Sequence, residues 1–144
     1  MKMFDTFSIS SSGLTAERLR LDTIASNIAN STTTRTEDGG PYKRKIAVFK
    51  ENLEREINAL SGQNKTVSKG VKVDAIVFDD TTSFKTVYDP SHPDSNEEGY
   101  VQMPNVDILN EMVDMIAATR AYEANVTALN AGKSMFLKAL EIGR

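Results

Sequence analysis

Cysteine is absent from this 144-residue chain, and histidine occurs once, as His92. The first absence excludes a disulfide framework and any cysteine-based metal site, and leaves the chain tolerant of either redox compartment. The second removes most histidine-rich metal and catalytic constellations, and no metal or cofactor is expected. No apolar run approaches the ~18 residues of a membrane-spanning helix, so no direct membrane insertion is expected. Met1 to Thr15 lacks a basic segment leading into an apolar core with an Ala-x-Ala site, so work outside the cytoplasm would need an export route without cleavage. Charge of one sign is not in excess either. A net charge of −3 gives no global attraction to nucleic acid, and no nucleic-acid partner is expected. With 40% hydrophobic residues, this length suits one modest domain, or a small one with an extension.

The last forty residues contain no proline after Pro104, and they carry a continuous apolar seam. From Ile108 it runs through Met112, Met115, Thr119, Tyr122, Val126, Leu129, Lys133, Phe136 and Leu140, in alternating steps of four and three. That spacing averages 3.5 residues per turn and holds the stripe on one face of a gently supercoiled helix. Leu109, Ile116 and Ala139 widen it. Asp107 stands where an N-cap belongs, Glu111 lies near the positive helix end, and Gly143 stands where a C-terminal stop belongs. At ~1.5 Å per residue the rod is about 50 Å long, too long for the core of a domain this size. It needs partners along its length.

A second amphipathic stretch spans Met3 to Ala29. Phe7, Leu14, Leu21 and Ile28 recur every seven residues, with Ile24 between. Ser10-Ser11-Ser12-Gly13 weakens the first half, so a break is expected there and Thr15 reads as a cap. The helix is expected to stop near Asn30, ahead of Ser31-Thr32-Thr33-Thr34. Asn27 and Asn30 can bond backbone groups where it unwinds, although an asparagine pair at this point is more often only a stop.

Between the helices, Tyr42–Phe49, Val71–Phe78 and Ser83–Tyr88 read as three short strands of one small sheet. Leu53, Ile57 and Leu60 are spaced for a short helical turn. Lys43-Arg44-Lys45 reads as solvation of an edge strand rather than a nucleic-acid patch. Pro90-Ser91-His92-Pro93-Asp94 contains catalytic residue types, but adjacent Ser91 and His92 between prolines cannot form a nucleophile–base pair, and a stiff connector is the better reading. The three Asn-x-Ser/Thr sequons, at Asn30, Asn64 and Asn125, look like chance. The fold class expected is α+β: two long terminal helices forming a coiled-coil-like pair around a small β-rich segment, with divisions at residues 1–34, 35–104 and 105–144.

Leu14-Thr15-Ala16-Glu17-Arg18, followed by Ser26-Asn27-Ile28-Ala29-Asn30, resembles the N-terminal motif of bacterial flagellar rod and hook proteins. Arg120-Ala121-Tyr122-Glu123-Ala124-Asn125 resembles their C-terminal core. The connector His92-Pro93, Gly99-Tyr100-Val101 and Pro104-Asn105-Val106-Asp107 is similar to the proximal-rod type among them. The resemblance covers roughly residues 3–50 and 70–144. It implies a non-enzymatic structural subunit in the periplasmic part of the basal body. Such subunits pass through the flagellar type III export apparatus without a cleaved signal, and assemble helically with themselves, with other rod proteins and with the basal-body base. It also implies that the terminal helices line the inner tube and the middle segment lies outside.

On this reading the packing residues are Leu14, Leu21, Ile24, Ile28, Met112, Met115, Tyr122, Val126, Leu129 and Phe136. Asn27, Asn30, Arg120 and Asn125 are the polar positions expected to fix register, Arg120 having the plainer reading of a solvated charge. A soluble coiled-coil adaptor for one partner helix is the competing function, and an enzyme built on His92 is the weakest.

Overall fold

The computed structural model describes residues 3–37, 39–57 and 64–142. Its elements in chain order are α1 (Met3–Ala29), β1 (Lys45–Ile57), β2 (Asn64–Phe78), β3 (Lys85–Tyr88), β4 (Tyr100–Met103) and α2 (Ile108–Ile142). Two long helices bracketing antiparallel strands make this an α+β chain, as expected.

No break occurs at Ser10–Gly13: α1 runs continuously for 27 residues. Hydroxyls in this stretch bond back into the preceding turn, Ser12 Oγ to Ile9 O at 2.7 Å and Thr15 Oγ1 to Ser11 O at 3.1 Å. Thr15 is therefore mid-helix rather than a cap. At Gly13 α2 comes close, since a Cβ there would stand 3.0 Å from Asn125 Oδ1. The helix ends where expected, with Asn30 N and Asn30 Nδ2 both donating to Ser26 O at 3.1 and 2.9 Å.

The β segment differs more. The strands form two separate two-stranded sheets, β1–β2 and β3–β4, rather than one sheet of three. β1 starts at Lys45 instead of Tyr42 and continues through Leu53 to Ile57, where a helical turn was expected. β2 begins at Asn64 and carries Gly70 inside it rather than before it. The antiparallel ladder pairs Lys45 with Phe78 and Ile57 with Asn64, with irregularities between Val48 and Phe49 and between Glu51 and Leu53. Pairing with a β-branched partner strand overrides the four-residue spacing of Leu53 and Ile57. Leu60 lies outside the described residues, as does Gly143.

A two-stranded ribbon is marginal on its own. α1 backs this one: Ser12 Oγ accepts from Val71 N at 3.1 Å. Gly70, at φ +101°, permits that approach, because a Cβ there would run into Ser12 Oγ and lie 3.2 Å from Ile9 Cα.

The short ladder joins Lys85–Tyr88 to Tyr100–Met103, a strand the sequence pattern did not suggest. Tyr88 and Tyr100 meet edge to face with centroids 5.2 Å apart. In the connector between them Ser91 Oγ donates to Asp89 Oδ1 at 2.6 Å, while His92 Nδ1 accepts from Asp94 N at 3.1 Å. Ser91 and His92 thus serve turn geometry separately.

α2 is capped as expected. Asp107 Oδ1 accepts from Leu109 N at 3.1 Å, and Asp107 O from Glu111 N at 2.9 Å. The described core is small: Ala16, Ile24, Tyr42, Val101, Val106 and Ala118 are its buried apolar residues. Many larger apolar side chains on α2 and the long ribbon remain exposed.

Candidate functional site

The terminal helices run antiparallel, with Asn27 beside Glu111, Gly13 beside Asn125 and Phe7 beside Gly132. The contact repeats in steps of four and three, as expected of a coiled-coil-like pair, but in a different phase. One column, Met115, Tyr122 and Leu129, is shared with the apolar seam and is half-buried. The other is Glu111, Ala118, Asn125 and Gly132, one residue before the expected Met112, Thr119, Val126 and Lys133. Ala118 is fully buried, whereas Met112 is 51% and Val126 36% exposed. A one-residue change in one of two columns turns the contact face by about 50°. Small residues in that column allow close approach, and Glu111 fixes the phase at the first turn. The turn leaves Leu109, Met112, Val113 and Ile116 facing outward as an apolar strip.

What fixes the phase is a buried polar knot where α1 ends, β1 begins and α2 starts. Asn27 is 1% exposed and satisfies all four of its bonding positions. Oδ1 accepts from Tyr42 Oη at 3.0 Å and Lys45 N at 2.9 Å. Nδ2 donates to Lys45 O at 2.8 Å and Glu111 Oε2 at 2.9 Å. Glu111, also 1% exposed, takes Arg44 Nε on its other oxygen at 2.6 Å. A carboxylate this deep is tolerable only when paired and hydrogen-bonded, and here it is both.

Asp114 lies between two arginines, with Oδ1 3.4 Å from Arg20 Nη2 and Oδ2 3.4 Å from Arg44 Nη2. Asn105 continues the knot, accepting from Arg44 N at 2.8 Å and donating to Asp79 O at 2.9 Å and Thr82 O at 3.1 Å. Asp79 in turn accepts from the Thr81 and Thr82 hydroxyls at 2.6 and 2.8 Å. Those bonds hold its carboxyl well below the usual carboxylate range.

Lys43-Arg44-Lys45 is consequently a solvated patch only at Lys43, which is exposed. Lys43 pairs with Asp80 at 2.7 Å, Arg44 enters the knot, and Lys45 Nζ lies 5.6 and 5.9 Å from the ring centroids of Tyr42 and Phe78.

Of the polar positions expected to set register, Asn27 is central to the knot. Asn30 bonds back to Ser26 O and accepts from Thr33 Oγ1 at 3.3 Å in the turn that follows, as a stop does. Asn125 Nδ2 returns to Ala121 O at 3.0 Å and sits against Gly13. Among the described residues Arg120 pairs along its own helix with Glu123 at 2.9 Å, as a surface charge does. Among the apolar positions Ile24 is buried, Leu14, Leu21, Ile28, Met115, Tyr122 and Leu129 are half-buried, and Met112, Val126 and Phe136 are exposed.

Sequence reasoning missed the roles of Arg44, Tyr42, Asn105 and Asp79, and treated Glu111 only as a helix-end charge. A buried acid was signalled by Glu111 standing in the contact column, but its partner Asn27 lies 84 positions away. Among the described residues no group of three or more metal-ligating side chains is placed to hold an ion, and no helix is long and apolar enough to cross a membrane.

A helix pair knotted to a β-rich middle, with apolar side chains turned outward, has the form of an assembly subunit. The sequence model of the family described as flagella basal body rod protein matches residues 7–35, and that of the flagellar basal body rod FlgEFG protein C-terminal region matches residues 97–142. Over its full length the chain is 47% identical to the flagellar basal-body rod protein FlgC of Bacillus subtilis, covering 100% of each chain. The FlgC proteins of Borreliella burgdorferi and Escherichia coli O6:H1 are 45% and 42% identical, covering at least 98% of each chain. The chain belongs to the FlgC family of flagellar basal-body rod proteins.

Proposed function

We propose that this chain is a subunit of the proximal rod, assembling helically with copies of itself and with other rod proteins into the shaft that carries motor torque toward the hook. The observation that carries this reading is the outward strip Leu109, Met112, Val113 and Ile116, respectively 74, 51, 66 and 62% exposed on a helix whose other face α1 already occupies. Clustered apolar side chains on one face favour burial against a neighbour. Repetition of such packed contacts around a tube would give torsional stiffness, because close-packed interiors resist deformation. In this arrangement residues 1–34 and 105–144 form the inner wall and residues 35–104 lie outside it. The subunit reaches the periplasmic space through the type III export apparatus, keeping its N-terminus, and performs no catalysis.

The test is a strain carrying Leu109→Glu, Val113→Glu and Ile116→Glu together. The variant is expected to be made and folded yet missing from purified basal bodies, with motility lost. Wild-type chain should be recovered in those basal bodies. Recovery of wild type only in a cytosolic complex of fixed size would instead establish the coiled-coil adaptor.

A further inference from the structure

The short ladder pairs Tyr88 with Tyr100 and Thr86 with Gln102. Cross-strand partners share a face and side chains alternate along a strand, so these four lie on one face, opposite the buried Val101. The tyrosine face is open: Tyr88 is 64% and Tyr100 43% exposed. Exposed apolar residues scattered singly need no explanation, but these two are braced. Their rings meet edge to face at 5.2 Å. Tyr88 Cε2 lies so close to Gly99 that an added Cβ would stand 3.0 Å away, and φ of +82° favours glycine there as well. The connector between the rings is stitched shut. Asp89 N donates to Gly99 O and Asn96 N to Tyr100 O, both at 2.9 Å, and Tyr100 N donates to Asn96 Oδ1 at 2.8 Å. A tyrosine that is exposed yet already ordered loses little freedom when covered, which is the profile of an interface anchor.

Charge around the pair is one-sided. Between Tyr88 and Tyr100 the chain has four carboxylates, Asp89, Asp94, Glu97 and Glu98, and no lysine or arginine. Arg35 lies 3.9 Å from Asp94, and Lys85 stands on the other face of β3. Glu97 and Glu98 are exposed in the turn before Tyr100, and neither carboxylate is paired among the described residues. Tyrosine rings beside carboxylates attract a cation, through the ring quadrupole and through direct pairing. A second copy is a poor source of it. This chain has a net charge of −3, and its exposed Lys43, Lys50, Arg120 and Lys138 each pair with an acid of their own chain.

We propose that Tyr88 and Tyr100, with Glu97 and Glu98 beside them, form a docking site for an arginine- or lysine-bearing segment of a different protein. Arginine suits it best, because a guanidinium stacks on an aromatic face and forks to a carboxylate. The site lies on the β3–β4 ladder, apart from the α2 strip, and does not depend on the rod assignment.

The probe is an acetylated and amidated Arg-Gly-Arg-Gly-Arg peptide, titrated into the isotope-labelled full-length chain and followed by NMR. The rings of Tyr88 and Tyr100 and the amides of residues 96–99 should shift saturably, and less as salt is added. Tyr88→Leu, which keeps an apolar side chain on the ladder, should weaken binding roughly tenfold, and so should Glu97→Gln with Glu98→Gln. Asp74→Asn, which removes an exposed carboxylate on β2, should leave it unchanged. Retained β3–β4 amide shifts in the double glutamine variant check that the ladder is intact. In cells, Tyr88→p-benzoylphenylalanine should crosslink on irradiation to a different protein, through a peptide that contains arginine or lysine. The proposal is overturned by an adduct with a second copy of this chain or by no adduct. It is overturned equally by no saturable shift, by equal binding of a Glu-Gly-Glu-Gly-Glu peptide, or by shifts spread over every acidic surface.

Discussion

Asn27 Nδ2 donates to Glu111 Oε2 across 2.9 Å, tying the last turn of α1 to the first turn of α2 over 84 positions of sequence. The same asparagine holds both backbone groups of Lys45 and the Tyr42 hydroxyl, so a single side chain sets where β1 starts relative to both helices. Asn27→Ala strands buried donors and acceptors without replacing them. It should cost about 3 kcal/mol or more, since each unmet buried group costs about 1–3 kcal/mol. Asn30→Ala, which removes only two local bonds, one to Ser26 O and one from Thr33 Oγ1, should cost about 1 kcal/mol. Urea midpoints of the two variants check the contrast, and equal losses would remove Asn27 from its central place.

Asp79 gives the fold an acid limit. Four hydrogen bonds from Thr81 and Thr82 favour its ionised form, so its folded pKa lies below the unfolded one. A depressed pKa contributes stability that is fully present above the unfolded value of about 3.9 and is lost as pH falls through the folded value. The urea midpoint should therefore fall on acidification below about pH 4. Asp79→Asn should flatten part of that fall while lowering stability at neutral pH. An unchanged acid slope in Asp79→Asn would assign the loss to other carboxylates. Asp89, depressed by its bonds from Ser91, is the next to examine.

Gly13 and Gly70 mark the two close approaches of α1, and they should respond differently to alanine. At Gly13 a methyl group gains about 1 kcal/mol of helix propensity but stands 3.0 Å from a side-chain oxygen of Asn125. Gly13→Ala should be nearly neutral alone and stabilising on an Asn125→Ala background, a coupling that a double-mutant cycle measures. At Gly70 the obstacle includes the α1 backbone and φ is +101°, so Gly70→Ala should cost about 2 kcal/mol or more. Thermal unfolding of the wild type and the four variants separates these outcomes, and a harmless Gly70→Ala would mean that α1 does not press on the ribbon.

The helices were legible because their signals are local: an N-cap at Asp107, a seven-residue recurrence from Phe7, a loss of helix formers after Asn30. The phase of their contact was not. Hydropathy weights Met112 and Val126 above Ala118 and Gly132, whereas two helices in close contact favour the small column, and a glutamate in that column reads as an exception until its asparagine is seen. The Ser10–Gly13 run misled for a related reason. Serine and glycine are poor helix formers in isolation, but here they are the residues that let α2 and the ribbon come close. The ribbon was underestimated because Leu53 and Ile57 fit either period, and only the pairing with β2 decides between them. Asn27 was suspected from its place in a motif, while Arg44 was hidden inside a run of three basic residues that looked like solvated surface.

The rotated contact face separates two effects that an apolar seam would merge. Leu129 faces Phe7 of α1 and is half-buried, so Leu129→Asp places a charge inside the chain's own helix pair. That should lower the stability of the monomer by about 1–3 kcal/mol. Val126 belongs to the outer column and is 36% exposed, so Val126→Asp should change monomer stability by about 0.5 kcal/mol or less. If the outer column meets neighbouring subunits, both variants should abolish swimming, for different reasons. Leu129→Asp would fail with a destabilised subunit, and Val126→Asp would fail with a sound one that does not incorporate. Monomer unfolding curves read beside basal-body preparations distinguish them. Normal rods from Val126→Asp would move the intersubunit contact off this face, leaving the strip around Val113 and Ile116 as the place to look.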